Sequence, residues 1–133
     1  MQFQPNLASL EQIFNLVRTS LSGTEEIKKK IELAVEEVVV NIISYAHSPF
    51  IEVEVKERDG VAYITIKDWG DPFNPLAHKD DLHEGAPIEE LEEGGLGIFF
   101  LKKIMDEITY ERLGDQNILK IKKTLLNREE AAS

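Results

Sequence analysis

Two alternating runs joined by an Asp-Gly turn constrain the fold of this chain most strongly. In residues 51–56 every second residue is Ile or Val and the others are charged, and a second β-rich run covers residues 61–67. Alternation of period two on both sides of Arg58-Asp59-Gly60 predicts a β-hairpin. Residues 107–112 and 117–125, joined by Leu113-Gly114-Asp115-Gln116, predict a second hairpin.

Three other segments space their apolar residues as helices do: residues 7–21, about 24–47 and 96–105. The second follows Ser22-Gly23, and its N-cap is either Ser22, paired with Glu25, or Thr24. Residues 1–4 predict a short edge strand. Helices and hairpins in this order predict an α+β fold, a two-layer α/β sandwich. Its mixed β-sheet is covered on one face by helices, although the hairpins alone also allow an antiparallel sheet.

The composition is that of one soluble globular domain, residues 1–133. Apolar residues make up 42% and charged residues 30% of the chain, which is long enough to bury a core. The absence of cysteine excludes disulfides, thiolate metal sites and a thiol nucleophile. The longest nearly apolar run, residues 38–46, is far shorter than the ~20 residues of a membrane-spanning helix, and no signal-peptide pattern opens the sequence. A cytoplasmic protein without membrane contact is expected.

The negative net charge of the chain indicates which kinds of partner it can bind. The 25 acidic and 15 basic residues give a formal net charge of -10, which argues against direct nucleic-acid binding. This charge fits a basic protein partner, or it only keeps the protein soluble. Residues 76–93 form a long acidic segment with little periodicity, which predicts a lid or binding loop, and residues 127–133 predict a frayed tail. His78 and His83 in that lid lack metal-ligand spacing.

The second predicted helix carries a narrow polar stripe on an otherwise apolar surface. Glu37, Asn41 and Ser44 fall on one side of it, and Ser48 would extend the stripe. Such a stripe faces either solvent or a wet cavity, and the helix alone favours neither. A carboxylate and an amide one turn apart suit a hydrated Mg²⁺, or the orientation of a nucleophilic hydroxyl or water.

Two glycine-containing segments are the other candidate places. Asp68-Trp69-Gly70-Asp71-Pro72 ends a predicted strand, where a carboxylate and closely approaching backbone suit a ligand; taken alone, a tight turn is the simpler interpretation. Gly94-Gly95-Leu96-Gly97-Ile98 precedes the third helix, where free amides and the helix dipole favour an anion. Taken alone, a hinge is the simpler interpretation there.

In chain order these places read E-x-x-x-N on a helix, D-x-G-x-P at a strand end and G-G-L-G-I before a helix. This order resembles the Bergerat or GHKL ATPase superfamily, over roughly residues 5–125. Within that group, the short lid and the stretches DPFNPL, PIEELEEGGLGI and LKKIMDEITYER resemble the stand-alone anti-sigma-factor serine kinases of RsbW and SpoIIAB type.

The resemblance implies a role for each matching residue. Glu37 matches the general base and Asn41 the Mg²⁺ ligand. Asp68 matches the carboxylate that accepts the adenine amino group, with Gly70 allowing its approach. The phosphate-contacting glycine box is matched by four consecutive residues, Gly95, Leu96, Gly97 and Ile98.

Three places in the sequence, four residues in all, depart from the usual family pattern. Asp71-Pro72 replaces the last two residues of D-x-G-x-G, and Tyr45 stands where a His is common. Asn117 lies where a Thr often contacts adenine through water. Because Asn also forms hydrogen bonds, Asn117 is kept as a candidate adenine contact.

The resemblance implies an anti-sigma factor that uses ATP and Mg²⁺ as a protein serine kinase. Its partners would be a sigma factor and an anti-anti-sigma protein of STAS type, and a homodimer is left open. A nucleotide-gated protein-binding switch without phosphotransfer is the alternative.

Overall fold

The helices and strands that the structure describes follow the order that the sequence predicts. The computed structural model describes residues 1–72 and 101–125. Residues 101–104 are helical and belong to the predicted third helix. None of the helices within these ranges is long and apolar enough to cross a membrane. In chain order the elements are β1 (Gln2–Phe3), α1 (Ser9–Ser20), α2 (Glu25–Asn41), a π-helix (Ile42–Ala46), β2 (Ile51–Arg58), β3 (Val61–Asp68), β4 (Glu107–Leu113) and β5 (Gln116–Thr124).

The described strands form one sheet in the order β1-β2-β3-β5-β4. Every pairing between them is antiparallel. The predicted α+β class is confirmed, and the sheet is antiparallel rather than mixed over these strands. The reason is that both hairpins reverse the chain and then meet through β3 and β5, which also run in opposite directions.

The first hairpin turns at Asp59 and Gly60. Both residues have positive φ, 53° and 76°. Left-handed backbone at two central residues is the type I′ turn, which suits the twist of paired strands. The Asp-Gly sequence therefore sets the register of β2 against β3, and with it the position of the last residue of β3.

Alternation along the strands places one face of the sheet in the core. Ile51, Val53, Ile64 and Ile66 on β2 and β3 are at most 1% exposed. Burial of one such side chain contributes ~1.5–3 kcal/mol. On the opposite face the side chains are mostly polar, and Tyr63 is exposed. The helices pack against the buried face through Ile13, Val17, Ile31, Ala34, Val35, Val38 and Val39.

Thr24, rather than Ser22, caps α2. The Thr24 side chain accepts a hydrogen bond from the amide of Ile27 at 3.2 Å. The amide and hydroxyl of Ser22 instead donate to the carboxylate of Glu57 at 2.8 and 2.9 Å. These hydrogen bonds, the backbone one foremost, hold the pKa of Glu57 below its ordinary value.

The second helix widens after Asn41. Ile42–Ala46 wind as a π-helix, which stops at His47, whose φ of 56° is left-handed. Because a π turn holds more residues than an α turn, the 100° spacing that put Ser44 and Ser48 on the polar stripe no longer applies. Ser44 is exposed and Ser48 lies beyond the helix. The predicted stripe therefore ends at Asn41.

Candidate functional site

Asp68, the last residue of β3, is a buried carboxylate held on one side by two donors. It is 3% exposed. The amide of Gly70 and the Nδ2 of Asn117 each donate to its Oδ1 at 2.9 Å. Among the described residues, no donor is directed at its Oδ2. A carboxylate accepts on both oxygens, so Oδ2 remains available to a donor from a ligand.

The sheet register places Asn117 beside Asp68. The two residues are Cα partners across β3 and β5. Asn117 is also 3% exposed, and its Nδ2 donates a second hydrogen bond to the carbonyl oxygen of Asp71 at 2.8 Å. The side-chain amide of Asn117 thus satisfies a buried carboxylate. Its direct contact with adenine stays a prediction.

The turn that follows β3 packs on the end of the π-helix. A Cβ on Gly70 would overlap the carbonyl oxygen of Ala46. The amide of Asp71 donates to that same oxygen at 2.7 Å. Ser48 Oγ accepts from the amide of Trp69 at 2.9 Å. Position 70 therefore needs glycine because two backbone segments meet there.

Gly70→Ala should destabilise the protein by about 1–3 kcal/mol, because the added methyl group meets backbone that cannot move without opening the turn. Urea unfolding measures the effect. Gly114→Asn is the control, since position 114 has open space and a φ of 62° that Asn tolerates. A Gly70→Ala variant as stable as the parent would contradict the packing of this turn on Ala46.

A small cavity lies between α2 and the sheet. Its volume is about 20 Å³, which is room for one water or a group of similar size. Asn41 in its wall is 2% exposed, and its Nδ2 has no hydrogen-bond partner in the described part of the chain. At Asn41 the polar stripe thus faces a cavity rather than solvent. The lining residues are Val38, Asn41, Ile42, Ile66, Asp68, Tyr110, Asn117 and Leu119.

Glu37 lies one turn before Asn41 on α2 and is half-buried. The spacing of four residues puts both side chains on the same side of the helix. Glu37 is not among the described residues that line the cavity. The structure thus brings Asn41, Asp68 and Asn117 together and leaves the carboxylate of Glu37 one helical turn away. Its role as a general base stays a prediction.

The predicted lid, tail and glycine box lie outside the described residues. The last of these comprises Gly95, Leu96, Gly97 and Ile98.

Two residues that the sequence pattern did not single out complete the site. Tyr110 donates from its hydroxyl to Asn117 Oδ1 at 2.5 Å. Arg112 Nη1 donates to the carbonyl oxygen of Gly70 at 2.8 Å and to Asn117 Oδ1 at 3.3 Å. The positions of both residues follow from the second predicted hairpin. A turn at residues 113–116 puts Arg112 opposite Asn117, and Tyr110, two residues earlier, shares its face.

The chemistry of these groups fits ATP and Mg²⁺. Asp68 Oδ2 is an acceptor in a cavity with mostly apolar walls, which suits the amino edge of adenine. Asn41 supplies one amide, and Mg²⁺ takes few protein ligands because phosphate oxygens and waters complete its shell.

The fold and the site, a buried carboxylate at a strand end next to a helical amide, are those of an α+β domain of the GHKL ATPase class. The profile of the histidine kinase-like ATPase domain matches residues 3–123. The chain belongs to this family.

Two similar proteins are both named serine-protein kinase RsbW. The one from Staphylococcus epidermidis is 30% identical, over 86% of this chain and 81% of the relative. The one from Bacillus velezensis is 30% identical, over 70% of this chain and 67% of the relative. The resemblance to RsbW that the sequence motifs predicted is thereby confirmed.

Solved histidine kinases share the fold. The Erythrobacter litoralis EL346 blue-light activated histidine kinase aligns with a TM-score of 0.62 at 18% identity, over 92% of this chain and 42% of that one. The Acinetobacter baumannii histidine kinase AdeS aligns with a TM-score of 0.55 at 21% identity, over 75% of this chain and 48% of that one. The chain spans less than half of either structure, so this likeness concerns the fold alone.

Proposed function

We propose that the protein is an anti-sigma factor with ATP-dependent protein serine kinase activity, whose substrate is an anti-anti-sigma protein of STAS type. The observation that carries the proposal is the buried Asp68, which lines one cavity with Asn41, a helical turn from Glu37. The similarity to two proteins named serine-protein kinase RsbW supports the reaction class.

The first part of the proposal concerns ATP binding. Asp68 accepts a hydrogen bond from the adenine amino group on Oδ2, because its Oδ1 is already held by two donors. Gly70 keeps the neighbouring backbone close to the base. The amides of the glycine box meet the phosphates: Gly95, Leu96, Gly97 and Ile98.

The second part concerns phosphotransfer. The serine oxygen would form a bond to the γ-phosphorus of ATP, the bond from that phosphorus to the bridging oxygen would break, and ADP would leave. Mg²⁺ would neutralise part of the phosphate charge. The side chain of Asn41 holds the metal. Glu37 orients the acceptor serine and takes its proton, which contributes ~10²–10⁴ in rate when a base is correctly placed.

The third part concerns partners and setting. We place the protein in the cytoplasm, where it holds a sigma factor and exchanges it for the anti-anti-sigma protein. The formal charge of -10 suits a basic partner surface. Neither direct nucleic-acid binding nor membrane binding is part of the proposal, and a homodimer stays a prediction.

Phosphotransfer is the expected result when the protein is incubated with Mg²⁺, γ-labelled ATP and a STAS-type protein encoded beside it. Label should appear on one serine of that protein and vanish when this serine is replaced by alanine. Calorimetry with ATP runs in parallel. Tight ATP binding without any label on the partner would contradict the kinase and favour the nucleotide-gated switch. Absence of ATP binding would contradict both.

A further inference from the structure

A row of three polar side chains crosses the end of the sheet beside the cavity. Asp68, Asn117 and Arg112 are successive Cα partners on β3, β5 and β4. Tyr110 lies two residues before Arg112 and shares its face of β4. Within residues 1–72 and 101–125, Tyr110 and Arg112 reach Asp68 only through Asn117 and through the turn at Gly70.

Donors on β4 and two acceptors on the opposite side, Asp68 Oδ1 and the Asp71 carbonyl oxygen, together decide which way round the Asn117 amide lies. An Asn side chain carries a donor at one end and an acceptor at the other, and the two ends have nearly the same shape. Arg112 only donates, so the end of Asn117 that faces it must be the oxygen. The Tyr110 hydroxyl donates to that same oxygen at 2.5 Å. The nitrogen is left to face Asp68, where it donates at 2.9 Å.

The same contacts fix the carboxylate of Asp68. Its Oδ1 is held by Asn117 Nδ2 and by the amide of Gly70. Arg112 ties down that second donor as well, because it binds the carbonyl oxygen of Gly70 at 2.8 Å. With Oδ1 held from two sides, the carboxylate cannot turn, and Oδ2 keeps a constant direction.

We infer that Tyr110 and Arg112 are positioning residues that set the nucleobase specificity of this site through Asn117. The inference rests on the proposed ATP function and deepens it. The arrangement offers the base an acceptor, Asp68 Oδ2, and keeps the N–H groups of Asn117 bound to Asp68 Oδ1 and the Asp71 carbonyl oxygen. A purine with an amino group at position 6 is therefore accepted, and one with a carbonyl oxygen there is rejected. Without the donors on β4, Asn117 and the turn at Gly70 hold Asp68 Oδ1 less firmly, Oδ2 loses its constant direction, and the distinction weakens.

Inosine triphosphate is the probe, because it carries a carbonyl oxygen where ATP carries the amino group. Calorimetry gives the affinity of the parent, Tyr110→Phe, Arg112→Met and the double variant for each nucleotide. Both nucleotides share ribose and triphosphate, so a general loosening of the fold lowers both affinities alike. Only a change in specificity alters their ratio.

We expect the parent to prefer ATP by at least about tenfold. Each single variant should lose about two- to tenfold of this preference, the range that one hydrogen bond contributes, and the double variant should lose more. Tyr63→Phe is the matched control, since it removes a hydroxyl from the exposed face of the same sheet. Its preference should equal that of the parent.

Two outcomes would overturn the inference, and they differ. A parent that prefers ATP, together with Tyr110→Phe and Arg112→Met variants that keep the full preference, would overturn the inference alone. A parent that binds neither nucleotide would overturn the proposed function and the inference with it. Because Tyr110→Phe removes one hydroxyl and retains the ring, it provides the test even if Arg112→Met fails to fold.

Discussion

The Glu37→Gln variant should bind ATP within a few-fold of the parent and transfer phosphate about 10²–10⁴ times more slowly. Glu37 is half-buried on α2 and is not among the residues that line the cavity with Asp68. Glutamine retains the size of the side chain and its ability to form hydrogen bonds but cannot take a proton at neutral pH. A lower rate at unchanged affinity is the signature of an interaction made only in the transition state.

Single-turnover phosphorylation of the anti-anti-sigma protein gives the rate, and calorimetry gives the ATP dissociation constant. Asn41→Ala is the informative comparison, because loss of a metal ligand should weaken binding of ATP with Mg²⁺ and slow phosphotransfer together. Glu36→Gln is the matched control: its neighbouring carboxylate is also half-buried but projects from another side of α2. If Glu37→Gln phosphorylates at the parental rate, Glu37 is not the base and the nucleotide-gated switch becomes the better account.

The strands were predictable because their signals are local. An Asp-Gly pair between alternating runs specifies a two-residue turn, and the hairpin β2–β3 forms at that pair. Gly114 and Asp115 do the same for β4 and β5, so both predicted hairpins are present with bounds shifted by a residue or two. How the hairpins meet is a long-range matter, which is why the sequence left the sheet antiparallel or mixed.

The π-helix after Asn41 was not predictable from periodicity. Apolar spacing in residues 31–46 fits an α-helix throughout, and nothing local marks the wider turn. The contacts at its end are visible only in three dimensions: the Ala46 carbonyl meets Gly70 and the amide of Asp71. Such wider turns are frequent at functional sites. The helical interpretation was therefore right for Glu37 and Asn41 and wrong for Ser44.

Part of the candidate site was also predictable, because some of its residues belong to local sequence motifs. Asp68 and Asn41 carry recognisable spacing in a motif, and the structure places both at one cavity. Tyr110 and Arg112 belong to no motif, and their position in the site follows from the strand register. A register argument applied to the second predicted hairpin would have placed Arg112 opposite Asn117 and Tyr110 two residues away on the same face.

The Asp68→Asn variant should bind ATP at least about tenfold more weakly, because an unmet buried polar group costs ~1–3 kcal/mol. The structure fixes where the new amide points. Gly70 and Asn117 both donate to Oδ1, so that position must keep the oxygen. The introduced nitrogen takes the place of Oδ2 and turns a donor toward the amino group of adenine. Since the contacts inside the protein are retained, the melting temperature without nucleotide should barely move.

The same geometry predicts that Asp68→Asn gains affinity for inosine triphosphate, which a general disruption of the pocket would not produce. The carbonyl oxygen of inosine triphosphate accepts the hydrogen bond that the introduced side-chain amide would offer, so the Asp68→Asn variant should bind this nucleotide more tightly than the parent does. Calorimetry with both nucleotides checks the exchange. Asp71→Asn is the matched control, because the side chain of Asp71 is 73% exposed beside His47 and should leave both affinities unchanged. Unchanged ATP affinity in Asp68→Asn would refute the assignment of the adenine pocket. Weakened binding of both nucleotides would show that the carboxylate supports the pocket without reading the base.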